Sequence, residues 1–169
     1  MLTSRAHRRL LCDFKKLTAD APSGVAAAPI GDDMFSWCGI VFGPASTPWE
    51  GGVWKLDMKF PADYPEKPPV VRFRGEVFHP NVFPDGQTSL ELLRGSGWTP
   101  ALDVAAILVA VQGLMAEPAT QASPESCANP EAENMFLRDR QQYDAKVKAL
   151  VDKQIDEDDA NMGCLSAVP

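Results

Sequence analysis

A run of alternating apolar and charged residues near the middle of the chain constrains the fold more than any other feature. Between Trp54 and Phe60 every second residue is large and apolar, and the residues between them are Lys55, Asp57 and Lys59. Because successive side chains of a β-strand point to opposite faces, this pattern predicts a strand with one buried face. The chain must therefore build a sheet that is covered on one side.

Neighbouring segments extend this strand into a sheet. Residues 35–42 and 70–73 also have strand-like patterns, and short segments rich in Gly and Pro connect them. Short connections favour antiparallel pairing of consecutive strands, so we predict a meander of three or four strands. Residues 25–30 would form the fourth strand, and Pro29 would place that strand at an edge, because proline cannot donate to a neighbouring strand.

Helical patterns flank the predicted sheet. Thr3 or Ser4 can cap an N-terminal helix whose apolar residues recur at helical spacing. Residues 102–115 are almost wholly apolar, which predicts a central helix packed on the sheet. Asn129, followed by a proline and two early glutamates, predicts the start of a third helix, and residues 143–151 carry one apolar face of the last.

These elements define the fold class and the domain organisation. They give an α/β (α+β) fold with an N-terminal helix, a four-stranded antiparallel meander, a central helix and two C-terminal helices. A chain of 169 residues suits one domain with a single core. We predict a folded catalytic domain over residues 1–155 and a flexible acidic tail over 156–169, because the tail has too little apolar content to fold.

Charge and cysteine content argue against several function classes. A formal net charge of -7 disfavours direct nucleic-acid binding, which needs clustered Lys and Arg. The four cysteines show neither metal-ligand spacing nor a disulfide framework, and no stretch is apolar for long enough to span a membrane. We therefore expect a cytoplasmic and nuclear protein without metal or organic cofactor, and without nucleic-acid or membrane partners.

A long irregular segment interrupts the regular patterns and carries a set of motifs. Residues 78–100 lack periodicity, and such a stretch inside a compact domain is usually functional. It contains His79-Pro80-Asn81, then Ser89, and then Trp98-Thr99-Pro100-Ala101. In order and spacing these motifs resemble the active-site segment of the ubiquitin-conjugating enzymes, in which a cysteine occupies the position of Ser89.

Further motifs extend the resemblance to roughly residues 4–153. Phe42-Gly43-Pro44 and Tyr64-Pro65 are similar to the family's strand and loop pattern. The basic first helix is most similar to the branch that acts in DNA repair and histone modification. The chain departs from the family pattern through an extra residue within 94–97 and through a longer loop between residues 118 and 130.

The resemblance implies an acyl transfer reaction. Enzymes of this family accept the C-terminus of ubiquitin as a thioester from an activating enzyme, which uses the ATP, and pass it to a substrate lysine with a RING-type ubiquitin ligase. Histones are possible substrates of the branch. A thiol suits both steps because its thiolate is accessible near neutral pH and leaves readily. Ser89 has neither property, so impaired transfer and an accumulating oxyester are expected.

Ser89 leaves more than one explanation open. It is either an engineered replacement of cysteine that traps or silences the charged enzyme, or a natural loss of the nucleophile; the intact surrounding motifs favour the former. A natural loss would suit a catalytically inert variant that acts as a ubiquitin-binding scaffold. A conjugating enzyme for another ubiquitin-like modifier would keep the mechanism and change the cargo.

The resemblance also implies roles for residues near Ser89. Asn81 would donate a hydrogen bond to the oxyanion that forms as the lysine attacks, or would only brace its loop. His79 and Pro80 would support the loop, although an unperturbed histidine titrates near neutral pH. Ser123 would lie opposite the acceptor, where a phosphoserine could favour the reactive form of the lysine; an inert loop serine is the alternative.

A second set of residues matches the positions where the family binds ligases and the activating enzyme. Trp98 is among the matches, but a tryptophan beside a buried helix is more often part of the core. We therefore expect the contacts to come from Arg5, Arg8, Glu66, Pro100 and Ala101.

Overall fold

A computed structural model of the chain describes residues 4–120 and 127–160. The elements in chain order are α1 (Arg5–Ala19), β1 (Val25–Ile30), β2 (Asp33–Phe42), β3 (Val53–Lys59), β4 (Val70–Phe73), a 3-10 helix (Glu91–Leu93), α2 (Val104–Ala116), α3 (Pro130–Arg138) and α4 (Arg140–Ala160). The predicted N-terminal helix, four strands, central helix and two C-terminal helices are thus confirmed.

The four strands form one antiparallel sheet in the order β1-β2-β3-β4. In β3 the side chains of Trp54, Leu56 and Met58 are buried, and Lys55 and Lys59 on the opposite face are exposed, as the alternation predicted. β1 is an edge strand, and its register with β2 shifts between Pro29 and Ile30. A proline is tolerated there because an edge strand with an irregular register needs fewer ladder hydrogen bonds.

Helix α2 covers the buried face of the sheet. Asp103 caps the helix by accepting a hydrogen bond of 2.9 Å from a backbone N–H of the first turn. Ile107, Leu108 and Val111 have no exposed surface. A Cβ atom at Gly39 of β2 would lie 3.2 Å from Leu108 Cδ2, so the absence of a side chain lets helix and sheet approach closely.

A buried ionic network attaches α1 to the loop before α2. Asp13 is 5% exposed and accepts hydrogen bonds from Arg9 Nε at 2.8 Å and from the Tyr64 hydroxyl at 2.6 Å. Arg9 also donates to the carbonyl oxygens of Pro100 and Leu102 at 2.6 and 2.9 Å. Burial is the main cause that raises the pKa of Tyr64, and the hydrogen bond to the Asp13 carboxylate raises it further. The phenol therefore stays protonated and can act as the donor.

Side-chain caps define the starts of α1 and α3. Ser4 accepts from the His7 N–H at 3.1 Å, and Asn129 accepts from the Ala132 N–H at 3.1 Å, so both predicted starts are confirmed.

The last helix is longer than predicted. Helix α4 runs to Ala160, so the acidic run 156–159 is helical, whereas the sequence predicted that these residues would be unfolded. Continuing an existing helix needs no new nucleation, and apolar content is therefore not required for these residues. The remaining part of the predicted tail, 161–169, lies outside the described residues.

Among the helices that the structure describes, none has the length and apolar character to cross a bilayer.

Candidate active site

A tight turn places Ser89 at the end of the irregular segment. Asp85 accepts a hydrogen bond from a following backbone N–H at 3.0 Å, and Gly86 has a φ of 87°. A Cβ atom at Gly86 would lie 2.4 Å from the carbonyl oxygen of Phe73, so only glycine fits. The N–H of Thr88 then donates to Val71 O at 3.0 Å. The residue before Ser89 is therefore bound directly to the sheet.

Ser89 is half-buried in an open groove of about 790 Å³. Its N–H donates to the carbonyl oxygen of Asn81 at 2.7 Å, which brings the two ends of the motif together. Asn81 and Leu114 also line the groove, together with residues from 90–96 and 118–120. The hydroxyl is thus placed where a flexible protein terminus could reach it.

Asn81 spans the groove to residue 119. Its Nδ2 donates to the carbonyl oxygen of Ala119, and its Oδ1 accepts from the Ala119 N–H, both at 2.9 Å. The side chain is a brace between two loops, which is one of the two roles considered from the sequence. An amide NH2 carries two hydrogens, so one bond to Ala119 is compatible with a further bond to an oxyanion. The oxyanion role stays a prediction.

His79 is 1% exposed and uses both ring nitrogens. Nε2 donates to the carbonyl oxygen of Leu114 at 2.8 Å, and Nδ1 accepts from the Asn81 N–H at 2.9 Å. Burial lowers the pKa of His79 to about 4, so the ring is neutral at pH 7. The ring joins the end of α2 to the loop before Ser89, a geometry that suits support and not proton transfer.

Pro80 joins this loop to the start of α3. Its carbonyl oxygen accepts from the Asn129 N–H at 3.2 Å and lies 3.8 Å from Cys127 Sγ. Burial is the main cause that raises the pKa of the Cys127 thiol, and a hydrogen bond to Glu133 raises it further. This thiol is therefore a weaker nucleophile than an unperturbed cysteine.

Arg94 is a site residue that the sequence did not identify. Its guanidinium donates to Ser89 Oγ at 2.6 Å. In the sequence this segment differs from the family pattern by one extra residue within 94–97, which indicates no contact with Ser89. Sequence patterns cannot place the end of a long exposed side chain, because many rotamers are available to it.

The predicted partner-binding residues lie on the surface. Arg5 and Glu66 form an exposed ion pair of 3.0 Å. Trp98 is 8% exposed, and its Nε1 donates to Pro65 O at 2.8 Å, so it belongs to the core. The exposed set also includes Arg8, Pro100 and Ala101.

Ser123, the predicted gate position, lies outside the described residues. In the part of the chain that the structure does describe, no group of three or more His, Cys, Asp or Glu side chains is arranged to hold a metal ion.

Comparison with known proteins identifies the family. The family model described as ubiquitin-conjugating enzyme matches residues 9–151. Ubiquitin-conjugating enzyme E2 3 of Arabidopsis thaliana is 41% identical over 152 residues, which cover 90% of this chain and 98% of that protein.

Relatives from animals and fungi match over similar lengths. Ubiquitin-conjugating enzyme E2 1 of Caenorhabditis elegans is 43% identical, with coverage of 90% of this chain and 77% of that protein. Ubiquitin-conjugating enzyme E2 2 of Saccharomyces cerevisiae is 42% identical over 157 residues, which cover 93% and 88%. Fold, motifs and relatives agree, and the chain therefore belongs to the ubiquitin-conjugating enzyme family.

Proposed function

We propose that this chain is a ubiquitin-conjugating transferase that accepts ubiquitin on the hydroxyl of Ser89. The observation that carries the proposal is the 2.7 Å hydrogen bond from the Ser89 N–H to Asn81 O, which holds the hydroxyl in the open groove beside the Asn81 amide. An acceptor atom needs such access and a nearby donor for the oxyanion. The names of the relatives support ubiquitin as the cargo.

The reaction has two acyl transfers. First, Ser89 Oγ attacks the thioester carbonyl of ubiquitin on the activating enzyme; the C–O bond forms, the C–S bond breaks and the hydroxyl proton goes to the departing sulfur. Second, a lysine amine attacks the ester carbonyl; the C–N bond forms, the C–O bond breaks and a proton from the amine restores the hydroxyl. Both steps are slower than with a thiol, because serine is a weaker nucleophile and a poorer leaving group.

We infer that the site is built for cysteine and that Ser89 replaces it. The brace at Asn81 and the glycine-dependent turn at Gly86 are intact around Ser89, and local features that agree with one another in this way support a site selected for catalysis. The scaffold function is the second candidate. It is favoured by the serine itself, because the exposed residues proposed to bind partners do not depend on a thiol. A different ubiquitin-like cargo would require a different activating enzyme.

We also propose the DNA-repair and histone-modifying branch, acting in cytoplasm and nucleus with a RING-type ligase. The basic first helix supports this proposal, since Arg5 and Arg8 are exposed on it. Ser123 stays the proposed gate position. Transfer of ubiquitin from a Ser89→Cys form to nucleosomal histones, compared with transfer to free lysine, would test the branch.

A charging assay tests the central proposal. This chain, Ser89→Cys and Ser89→Ala would each be incubated with ubiquitin, activating enzyme and ATP. We expect a thiol-sensitive adduct on the Cys form, a thiol-resistant and hydroxide-labile adduct on the Ser form, and none on the Ala form. An adduct on the Cys form alone would favour the scaffold. No adduct on any form, while a control enzyme charges, would refute the transferase and leave the scaffold or another modifier.

A further inference from the structure

Arg94 contacts the atom that the proposed function uses. Within the described residues, the side-chain hydrogen bond to the Ser89 hydroxyl comes from the Arg94 guanidinium, at 2.6 Å. A guanidinium can only donate, so Ser89 Oγ is the acceptor and its own hydrogen points elsewhere. A positive charge therefore lies against the oxygen on which negative charge would develop during acyl transfer.

The backbone around Arg94 is fixed by its own hydrogen bonds. The Arg94 N–H donates to Glu91 O at 2.9 Å, and the Arg94 carbonyl accepts from the Gly97 N–H at 2.7 Å. A Cβ atom at Gly97 would lie 2.2 Å from Glu91 O, so this turn closes only with glycine. The segment that departs from the family pattern is thus the one that directs Arg94 to Ser89.

We propose that Arg94 is a catalytic residue that contributes more to acyl transfer with the serine acceptor present here than with the cysteine that the family has at this position. The inference rests on the proposed function. When the hydroxyl attacks, the guanidinium stabilises the charge on Oγ as its proton leaves. When the ester is cleaved by an amine, the electron pair of the C–O bond returns to Oγ beside the same guanidinium, and a proton from the amine restores the hydroxyl. A donor contributes most to the rate where it contacts the atom on which charge develops in the transition state.

A cysteine would gain little from the same arginine. Sulfur is a weak hydrogen-bond acceptor, and a thiolate leaves without assistance. Substitution of Arg94 should therefore affect the two acceptors differently. A role in shaping the loop would affect both acceptors equally, so the two roles can be separated by experiment.

The experiment is a double-mutant cycle on Ser89→Cys and Arg94→Gln. Ubiquitin adducts of the four proteins would be purified, mixed with excess free lysine and followed for release in a single turnover. Arg94→Gln should slow release from the serine ester about tenfold, which corresponds to about 1.4 kcal/mol of activation free energy, because the substitution removes a charged donor from the leaving oxygen. Release from the thioester should change less than about twofold, given the weak acceptor strength of sulfur.

Two further variants complete the test. Arg94→Lys keeps the charge and should restore part of the rate. Arg140→Gln is a matched control, because Arg140 is an exposed arginine whose ion pair is with Asp144; it should leave both rates unchanged.

Each remaining outcome contradicts a distinct statement. Equal slowing of ester and thioester, or no change in either, would overturn the inference about Arg94 and leave the proposed function standing. Failure of the unsubstituted chain to form any hydroxide-labile adduct, while Ser89→Cys charges, would refute acceptance by Ser89 and with it the catalytic role of Arg94.

Discussion

Mild acidification is expected to destabilise the domain through His79. The ring is 1% exposed, donates to Leu114 O and accepts from the Asn81 N–H. A second proton would have to bind Nδ1, which already accepts the Asn81 N–H in a buried site. Protonation therefore breaks the bond that positions the loop before Ser89.

The sign and magnitude follow from the two pKa values. Burial lowers the pKa of His79 from 6.5 to about 4, so below pH 6.5 the unfolded chain binds more protons than the folded one. Stability is therefore lost as the pH falls from about 6.5 toward 4 and regained as it rises. Between pH 7 and 5 the loss of stability amounts to about 2 kcal/mol. The full loss, reached at a pH below both pKa values, is about 1.4 kcal/mol for each unit by which the two pKa values differ.

The assay is urea denaturation between pH 7 and 5, with the histidine ring signals followed by NMR. The chain has two histidines, so His7→Gln leaves His79 as the only one and should keep the pH dependence. His79→Gln should be less stable at pH 7 and should lose most of the slope. Titration of His79 near pH 6.5 in the folded protein, or equal stability at pH 7 and 5, would refute the reasoning.

Two further predictions concern the network at α1 and the loop at Arg94. Tyr64→Phe removes the 2.6 Å hydrogen bond to buried Asp13. It should therefore lower the free energy of unfolding, measured in urea, by about 1–3 kcal/mol. An unchanged free energy of unfolding would contradict the importance of the network. Gly97→Ala introduces a Cβ atom 2.2 Å from Glu91 O and should slow charging of this chain, whereas Gly113→Ala, with no atom within 4 Å of the new Cβ, should not. Equal charging rates for the two alanine variants would contradict the proposed turn.

Local chemistry made much of the fold predictable. The alternation at Trp54–Phe60 depends only on strand geometry, and the cap at Asn129 depends on residues within one helical turn. Pro29 predicts an edge strand because proline lacks a backbone N–H. The end of α4 was predicted too early, since apolar periodicity does not report where a solvated helix stops.

The site was predictable only as far as its motifs. The resemblance identified Ser89 and Asn81, but the brace from Asn81 to Ala119 joins loops 38 positions apart in the chain. No local pattern encodes such a pairing. The contact from Arg94 to Ser89 depends on the rotamer of an exposed side chain and on a turn that needs Gly97.

The most direct test of the account is to locate the ubiquitin attachment on the charged chain. The adduct would be digested under acidic conditions that preserve esters, and the modified residue identified by mass spectrometry. The account predicts an ester on the peptide that contains Ser89, with the modification removed by hydroxide and absent from Ser89→Ala. An adduct that resists hydroxide and maps to a lysine, or a thioester that maps to Cys127, would contradict it.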